Sequence, residues 1–197
     1  MASNTRTQLL DTAQTLFAER GFYGVSIASI ADELGLTKQA LLHHFGTKEK
    51  LYGAVLQRIS EYFQEQLADN EVSVSDPAKR LEAYLLNLSE SALKAPVRSQ
   101  LLMRELLDNK RRVETAGMWY LKPYLDRLSE LVREIPEWEH ASQENVFVLV
   151  YQLLGAINYF VVSQPTLQGI YGQDRISLFR VAFPNQLSHL LAVSLQT

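Results

Sequence analysis

The stretch from Val25 to Tyr52, VSIASIADELGLTKQALLHHFGTKEKLY, constrains the fold of this chain more than any other feature. Apolar residues recur in it at spacings of three and four, the period of helices that bury one face. Ala31 and Gly35 stand four residues apart: the small side chain lets two helices approach, and glycine adopts a left-handed turn at little cost. Each helix that this pattern predicts is preceded by a hydroxyl residue suited to cap it: Ser26, Thr37 and Thr47. The stretch therefore predicts two short helices joined by a tight turn and the start of a third, long helix.

The second short helix, Lys38 to Phe45, has the composition of a helix that reads the major groove of DNA. Ala40, Leu41 and Phe45 can face inward, which leaves a polar outer surface suited to base edges. The outward residues are predicted to be Lys38, Gln39, Leu42 and His43.

Helical spacing continues on both sides of this stretch. Before it, Leu9 to Phe17 carries one apolar face, and Gly21 is expected to end that helix. After it, a helix of about 22 residues is predicted from Lys48 to Asn70, long enough at ~1.5 Å per residue to leave the head and enter the body. The next helix should begin at Asp76-Pro77, an N-cap followed by proline, and stop at Ala95-Pro96.

Three prolines bear on the boundaries of the later helices. The segment from Val113 to Ile135 has helical spacing, and Pro123 either kinks it or marks the first turn of a new helix. Pro165 is expected to end the apolar helix that precedes it, and a Gly/Gln-rich loop (QGIYGQD) is expected to follow. A last helix is predicted from Arg175 to Ser194, with Pro184 inside it.

Residues 146 to 162 are almost wholly apolar (VFVLVYQLLGAINYFVV) and allow two interpretations. A membrane span is one, but 17 residues is the lower limit for crossing a bilayer, and Gln152, Gly155 and Asn158 interrupt the run. The favoured interpretation is a helix buried on all sides, by its own domain and by a second subunit. No membrane association is expected.

Composition and charge limit the class of protein. With 47% hydrophobic and 21% charged residues the chain can bury a sizeable core, and its lack of cysteine excludes disulfides and thiolate metal sites. The N-terminus lacks the pattern of a signal peptide, so a cytoplasmic protein is expected. The net charge of −3 argues against a nucleic-acid binder, but residues 1–60 hold six Lys/Arg against five Asp/Glu. Such a near-neutral head can bind phosphates locally, with modest non-specific affinity.

The N-terminal 55 residues closely resemble the DNA-binding domain of the TetR family of bacterial transcriptional regulators. The resemblance is carried by LF before ERGF, Ser26, IADELG, Leu41 and the H-F-x-x-K-E pattern that ends at Glu49. It implies an all-α fold of about nine helices, with a three-helix helix-turn-helix domain over residues 1–50. Residues 51–197 would form a helical ligand-binding and dimerisation domain. The last two long helices of each subunit would pair as a homodimer.

The resemblance also implies roles for individual residues. Ser26 and Lys48 would contact phosphate, although Ser26, like Thr37, is a helix cap whether or not DNA is present. Thr37, Lys38 and Gln39 stand where the family's recognition helix enters the groove; lysine suits guanine acceptors and glutamine suits adenine. Leu42 and His43 occupy positions where tyrosine is common, and Leu42 is able to touch only an apolar group such as a thymine methyl. His44 matches a frequent family histidine and either contacts DNA or braces neighbouring helices.

Large side chains along the body suggest a roomy apolar cavity for a small apolar or aromatic ligand, although helical spacing makes core packing the default interpretation for each of them. The candidate ligand contacts are Tyr84, Met103, Trp119, Tyr120, Tyr124, Tyr151 and Asn158. No catalytic motif is present, and the adjacent His43 and His44 point in different directions, so neither an enzyme nor a metal site is expected.

Together these features predict a ligand-responsive regulator that binds double-stranded operator DNA as a dimer. A repressor that recognises an inverted repeat and is released by a small effector is the favoured form. The alternatives are a ligand-controlled activator and a helical small-molecule-binding protein without regulatory DNA binding.

Overall fold

The computed structural model of this chain describes residues 2–71, 74–107 and 119–196, and all regular structure in those ranges is helical. The helices are α1 (Ala2–Arg20), α2 (Ile27–Asp32), α3 (Lys38–Phe45), α4 (Lys48–Glu71), α5 (Pro77–Lys94), α6 (Val97–Leu107), α7 (Lys122–Arg133), α8 (Gln143–Tyr171) and α9 (Gln173–Ser194), with a 3-10 turn at Pro136–Trp138. The nine α-helices in the described ranges confirm the predicted all-α fold.

The chain divides into two compact units. The first holds the described residues of Met1–Glu61 and Val97–Leu121, and the second holds those of Tyr62–Pro96 and Lys122–Thr197. This division differs from the predicted boundary between residues 50 and 51, because α6 packs against α1 and joins the first unit. The functional division into a DNA-binding domain and a ligand-binding and dimerisation domain stays a prediction.

Local capping builds the helix-turn-helix of the first unit. Ser26 accepts a hydrogen bond from the amide of Ser29 at 2.9 Å, and the Ser29 hydroxyl accepts one from the amide of Ser26 at 3.1 Å, a reciprocal capping box. After α2 the amide of Gly35 donates to Asp32, and the amide of Leu36 donates to Ala31. This pair of bonds is a Schellman motif, and Gly35 takes the left-handed φ of +63° that the motif requires. The predicted caps Thr37 and Thr47 are also confirmed.

Gly35→Ala is expected to destabilise the protein by about 1–2 kcal/mol, because an L-residue at this positive φ carries a backbone penalty. A Cβ at Gly35 would meet nothing within 4 Å, so the loss would come from the backbone alone. Urea unfolding measures it. The matched control is Gly169→Ala, at a helical glycine in equally open space, where alanine should be neutral or stabilising. Equal effects of the two substitutions would contradict this account of the turn.

The second unit is built from α5, α7, α8 and α9 around an apolar core. Tyr84 on α5 and Tyr124 on α7 lie inside it, and the Tyr84 hydroxyl donates to the Tyr124 hydroxyl at 2.8 Å. Phe63 from α4 stacks on Tyr124 with ring centroids 5.0 Å apart. Burial raises the pKa of both tyrosines above its ordinary value, so the pair stays neutral and its hydrogen bond persists into alkaline solution.

The structure settles the open choice at Pro123 and contradicts the prediction at Pro165. Pro123 is the second residue of α7, which settles the open choice in favour of the first turn of a helix. The part of that predicted segment before residue 119 lies outside the described residues. The expectation that Pro165 ends the apolar helix is wrong, because α8 continues through it to Tyr171 and Gly172 makes the break. The helix packs against α5, α7 and α9, and this packing outweighs the one backbone hydrogen bond that proline removes.

Candidate nucleic-acid interface

The outer face of α3 is polar and exposed. Lys38, Gln39 and His43 are all exposed, whereas Leu41 and Phe45 turn inward with exposed fractions of 0% and 7%. Two inward residues hold an eight-residue helix in place and leave its other side open. This arrangement brings together three of the four side chains that the sequence predicted to face outward.

Leu42 and His44 are more enclosed than the other predicted contacts. Both are half-buried, so Leu42 does not stand fully outward as predicted. The rings of His43 and His44 are 5.9 Å apart at 66° to each other, and His44 also lies beside Phe45 at 6.3 Å. His44 is thus more enclosed than the exposed His43, and both of its predicted roles, DNA contact and bracing, stay predictions.

Lys48 is the first residue of α4 and is partly enclosed. Its ammonium lies 4.3 Å from the centroid of the Phe22 ring. Burial lowers the pKa of Lys48, and the neighbouring charge of Glu49 partly counters this. The pKa of Glu49 is lowered by hydrogen bonds from its own amide and from the Thr47 hydroxyl. The Phe22 ring and Glu49 thus hold a cation at the start of α4, on the chain segment directly after α3.

The predicted phosphate and groove contacts Ser26 and Thr37 are exposed, and their hydroxyl oxygens cap helices. Thr37 accepts from the amide of Ala40 at 3.1 Å, as Ser26 does from that of Ser29. A hydroxyl that accepts one bond keeps its own hydrogen to donate. Capping and phosphate contact are therefore compatible at Thr37. At Ser26 the hydroxyl already donates to that of Ser29 at 3.2 Å, and a phosphate contact would have to replace this bond.

The support that α6 lends to the helix-turn-helix was not predicted from the sequence. Arg104 donates from its guanidinium to the carbonyls of Ala18 and Glu19, each at 2.6 Å, and so caps the end of α1. The next residue, Glu105, is buried with an exposed fraction of 2% and accepts a 2.6 Å hydrogen bond from the hydroxyl of Tyr52 on α4. These contacts fix α1 and α4, the two helices on either side of the helix-turn-helix. The only hint in the sequence is an Arg-Glu pair between two apolar runs of α6, Leu101–Met103 before it and Leu106–Leu107 after it.

The candidate ligand contacts fall into two groups. Tyr84, Tyr124, Tyr151 and Asn158 belong to the second unit, and Met103, Trp119 and Tyr120 belong to the first. Tyr84 and Tyr124 bond each other in the core, and the amide of Asn158 donates to the carbonyl of Leu154 one turn earlier. Tyr151 is exposed and stacks on Phe147, and Met103 is half-buried. Within the second unit these contacts serve packing, and the ligand assignment stays a prediction.

Trp119 and Tyr120 lie in the short segment before α7. The indole nitrogen of Trp119 is buried and has no hydrogen-bond partner among the described residues. The ring of Tyr120 lies against Gly53 on α4: a Cβ added to Gly53 would lie 2.4 Å from the Tyr120 hydroxyl oxygen. Glycine is unfavourable inside a helix, and here its lack of a side chain makes room for the phenol.

Gly53→Ala is expected not to stabilise the protein, although alanine in place of glycine usually adds about 0.5–1 kcal/mol to the stability of a helix interior. The new methyl would displace the Tyr120 ring, and the lost contact would offset the gain. In a Tyr120→Ala background the same substitution should stabilise the protein by the full amount. Urea unfolding of the wild type, the two single variants and the double variant gives the coupling free energy between positions 53 and 120. Identical effects of Gly53→Ala in both backgrounds would show that the contact carries no energy.

An open cleft of about 430 Å³ lies in the second unit, lined by Gln64, Ala68, Pro123, Asp126, Arg127 and Glu130. Its volume is in the range of small-molecule sites. Four of its six lining residues are polar or charged, and none of the seven candidate ligand contacts belongs to it. The sequence did not point to this cleft, because its residues read as a solvated helix surface.

One side of α8 exposes apolar residues along its length. Val148, Tyr151, Gly155 and Tyr159 follow one another three or four residues apart, and Ile170 lies further along the helix. Tyr159 and Ile170 are 71% and 65% exposed. On α9 the exposed apolar residues include Leu178, Val181 and Val193. By length and composition α8 alone among the described helices is able to cross a membrane, and a third of its most apolar window is buried in the protein. The opposite side of α8 packs into the core of the second unit.

The capped turn, the buried inner side of α3 and its polar outer side define a helix-turn-helix protein. Residues 9–55 match the family model described as "Bacterial regulatory proteins, tetR family". The chain is 34% identical over 87 residues to the HTH-type transcriptional regulator LmrA of Bacillus subtilis, which is 44% of this chain and 46% of that protein. It is 37% identical over 89 residues to the HTH-type transcriptional repressor KstR2 of Rhodococcus jostii, which is 45% and 44% of the two chains. Over residues 9–55 the chain is therefore similar to the DNA-binding domain of the TetR family of bacterial transcriptional regulators, as the sequence predicted.

The aligned stretches span less than half of these curated relatives, so their full activities are not carried over to this chain. The fold is shared over a greater length. The transcriptional regulator FadR from Bacillus subtilis, solved in complex with stearoyl-CoA, matches with a TM-score of 0.72 at 18% identity. The match covers 94% of this chain and 96% of that one. The relatives carry the names of transcriptional regulators and not of enzymes.

Proposed function

We propose that this protein is a DNA-binding repressor that recognises an inverted-repeat operator as a homodimer. The observation that carries the proposal is the open polar face of α3, where Lys38, Gln39 and His43 stand exposed on a helix anchored by Leu41 and Phe45. Lysine and glutamine donate to the base-edge acceptors of the major groove. Lys48, Ser26 and Thr37 would fix the register on the phosphate backbone.

Dimerisation would use the exposed apolar side of α8 together with α9. A row of large apolar residues on a monomer surface is costly to leave in water and marks an interaction site. Two such helices from each subunit would form a four-helix interface. A two-fold dimer places its recognition helices about 34–36 Å apart, so the half-sites should be one helical turn apart or slightly more. Such a dimer would be a cytoplasmic protein.

Release from DNA would follow the binding of a small molecule with a substantial apolar part. The residues of α4 divide between the two units, so a shift of this helix caused by a ligand in the body would reach the helix-turn-helix. A coupling of about 1–3 kcal/mol per site is sufficient to empty an operator. The KstR2 relative is named a repressor, which favours repression over activation.

Selection from fragmented genomic DNA of the source bacterium tests the proposal. The purified full chain should enrich a small set of fragments that share an inverted repeat near a promoter. Expression of a reporter driven by that promoter should rise when the protein is absent. If reporter expression falls instead, the protein is an activator. If no sequence is enriched, the protein is a helical ligand-binding protein without regulatory DNA binding.

The effector can be sought on the enriched fragment. Fatty acyl-CoA thioesters, free fatty acids and planar aromatic compounds form a suitable panel, since the FadR structure of the same fold carries stearoyl-CoA. The proposed mechanism predicts that one class releases the protein from DNA. A compound that binds the protein and leaves DNA affinity unchanged would contradict that mechanism.

A further inference from the structure

Two cations of the first unit lie over aromatic rings next to the ends of α3 and α4. The guanidinium carbon of Arg6 is 5.2 Å from the centroid of the Phe45 ring, and the ammonium of Lys48 is 4.3 Å from that of Phe22. Phe45 is the last residue of α3 and Lys48 the first of α4. Lys48 belongs to the proposed DNA contacts. Arg6, on α1, has no role in the proposal so far.

The charge of Arg6 is not matched by its neighbours on α1. A stabilising partner on a helix stands three or four residues away, and those positions after Arg6 are Leu9 and Leu10. The nearest acid along the chain, Asp11, pairs instead with Arg58 at 2.7 Å. Arg6 is exposed, so its charged group faces solvent while the Phe45 ring restricts where it lies.

An arginine over an aromatic ring is well suited to a phosphate. The ring attracts the cation and limits its freedom, whereas the N–H donors of the guanidinium remain available to oxygen. Arginine and phosphate then form short, charge-assisted hydrogen bonds. Phe45 turns inward at the last residue of α3, so its ring holds the Arg6 cation beside the end of this helix and not on its base-reading face. A cation beside a helix that enters the groove is placed to meet the flanking phosphate backbone.

We propose that Arg6 is a phosphate-contacting residue that extends the DNA interface from α3 onto α1, with Phe45 as the platform that holds it. This inference rests on the proposed DNA-binding function. A phosphate contact carries no base information, so Arg6 adds affinity equally for the operator and for unrelated duplex DNA. It also adds to the number of counterions that binding releases.

The experiment is a salt titration of binding to the selected operator and to a scrambled duplex of equal length. Arg6→Ala should lower the affinity for both duplexes by the same factor. It should reduce the slope of log affinity against log salt by about 0.9 for each copy in contact with DNA. Arg6→Lys keeps the charge without the planar group. Its affinity for both duplexes should fall between that of Arg6→Ala and that of the wild type. The matched control is Lys79→Ala, which removes an exposed cation from α5, a helix of the second unit that has no part in the proposed dimer interface.

The outcomes separate this inference from the function on which it rests. The inference is supported if Arg6→Ala reduces the slope and keeps the preference for the operator, and if Lys79→Ala leaves the slope unchanged. If Arg6→Ala leaves both the slope and the affinity unchanged, the proposed role of Arg6 is wrong and the DNA-binding function stands. If Arg6→Ala changes the sequence preference, Arg6 is a base contact, and the proposed phosphate role is again wrong. A wild-type protein without salt-dependent affinity for either duplex would overturn both.

Discussion

Replacing Lys38 and Gln39 together by alanine is expected to remove most of the preference for the operator and to leave the fold intact. Both side chains are exposed, so their removal costs little packing. Each well-placed contact to a base edge contributes about 1–3 kcal/mol of discrimination, so the pair should cost at least roughly 30-fold in operator affinity. Fluorescence anisotropy with labelled operator and scrambled duplexes measures the change.

The control for this substitution is Lys79→Ala, which removes one exposed lysine from α5 in the second unit. It should bind both duplexes as the wild type does. The double variant should retain most of its affinity for the scrambled duplex, since only one charge is lost. Retention of the wild-type preference by the double variant would refute the assignment of base contacts to the start of α3.

Tyr159→Glu is expected to convert the protein to a monomer and thereby to abolish tight operator binding. Tyr159 lies in the exposed apolar row of α8, and in the proposed interface the new carboxylate would be buried without a partner. An uncompensated buried charge costs about 3–5 kcal/mol, and a dimer carries two of them. A monomer reads one half-site, so its operator affinity should fall to near the non-specific level.

Analytical ultracentrifugation in detergent-free buffer measures this effect. The matched control is Leu107→Glu, since Leu107 on α6 is 77% exposed and Tyr159 71%. Leu107→Glu should remain dimeric. A dimeric Tyr159→Glu would place the interface elsewhere, and a wild-type protein that requires detergent to remain in solution would favour the membrane interpretation of α8.

Those parts of the fold that depend on neighbouring residues were predictable from the sequence. The Gly35 turn, the Ser26 and Thr37 caps and the Asp76-Pro77 start each depend on residues within about five positions, where the chemistry of one residue decides the backbone. Pro165 shows where local rules fail. The proline signal is local, but the packing of α8 against three other helices decides the outcome.

Long-range contacts account for what the sequence could not provide. Arg104 caps a helix 85 and 86 residues before it, and Glu105 accepts a hydrogen bond from Tyr52, 53 residues away. No spacing rule links such positions, so α6 was expected in the body and not with the helix-turn-helix. Helical periodicity likewise does not separate a core tyrosine such as Tyr84 from one that lines a cavity. The α3 face, by contrast, was predictable because anchoring residues and open residues alternate on a single short helix.

The ratio of operator to scrambled-duplex affinity at physiological salt tests the central claim most directly. The wild-type full chain and the sequence that it enriches are the only components needed. A dimer that reads bases through α3 predicts a ratio of at least about 10³, as is usual for specific DNA-binding proteins. A ratio near one would contradict the claim, because any remaining affinity would then come from phosphate attraction alone.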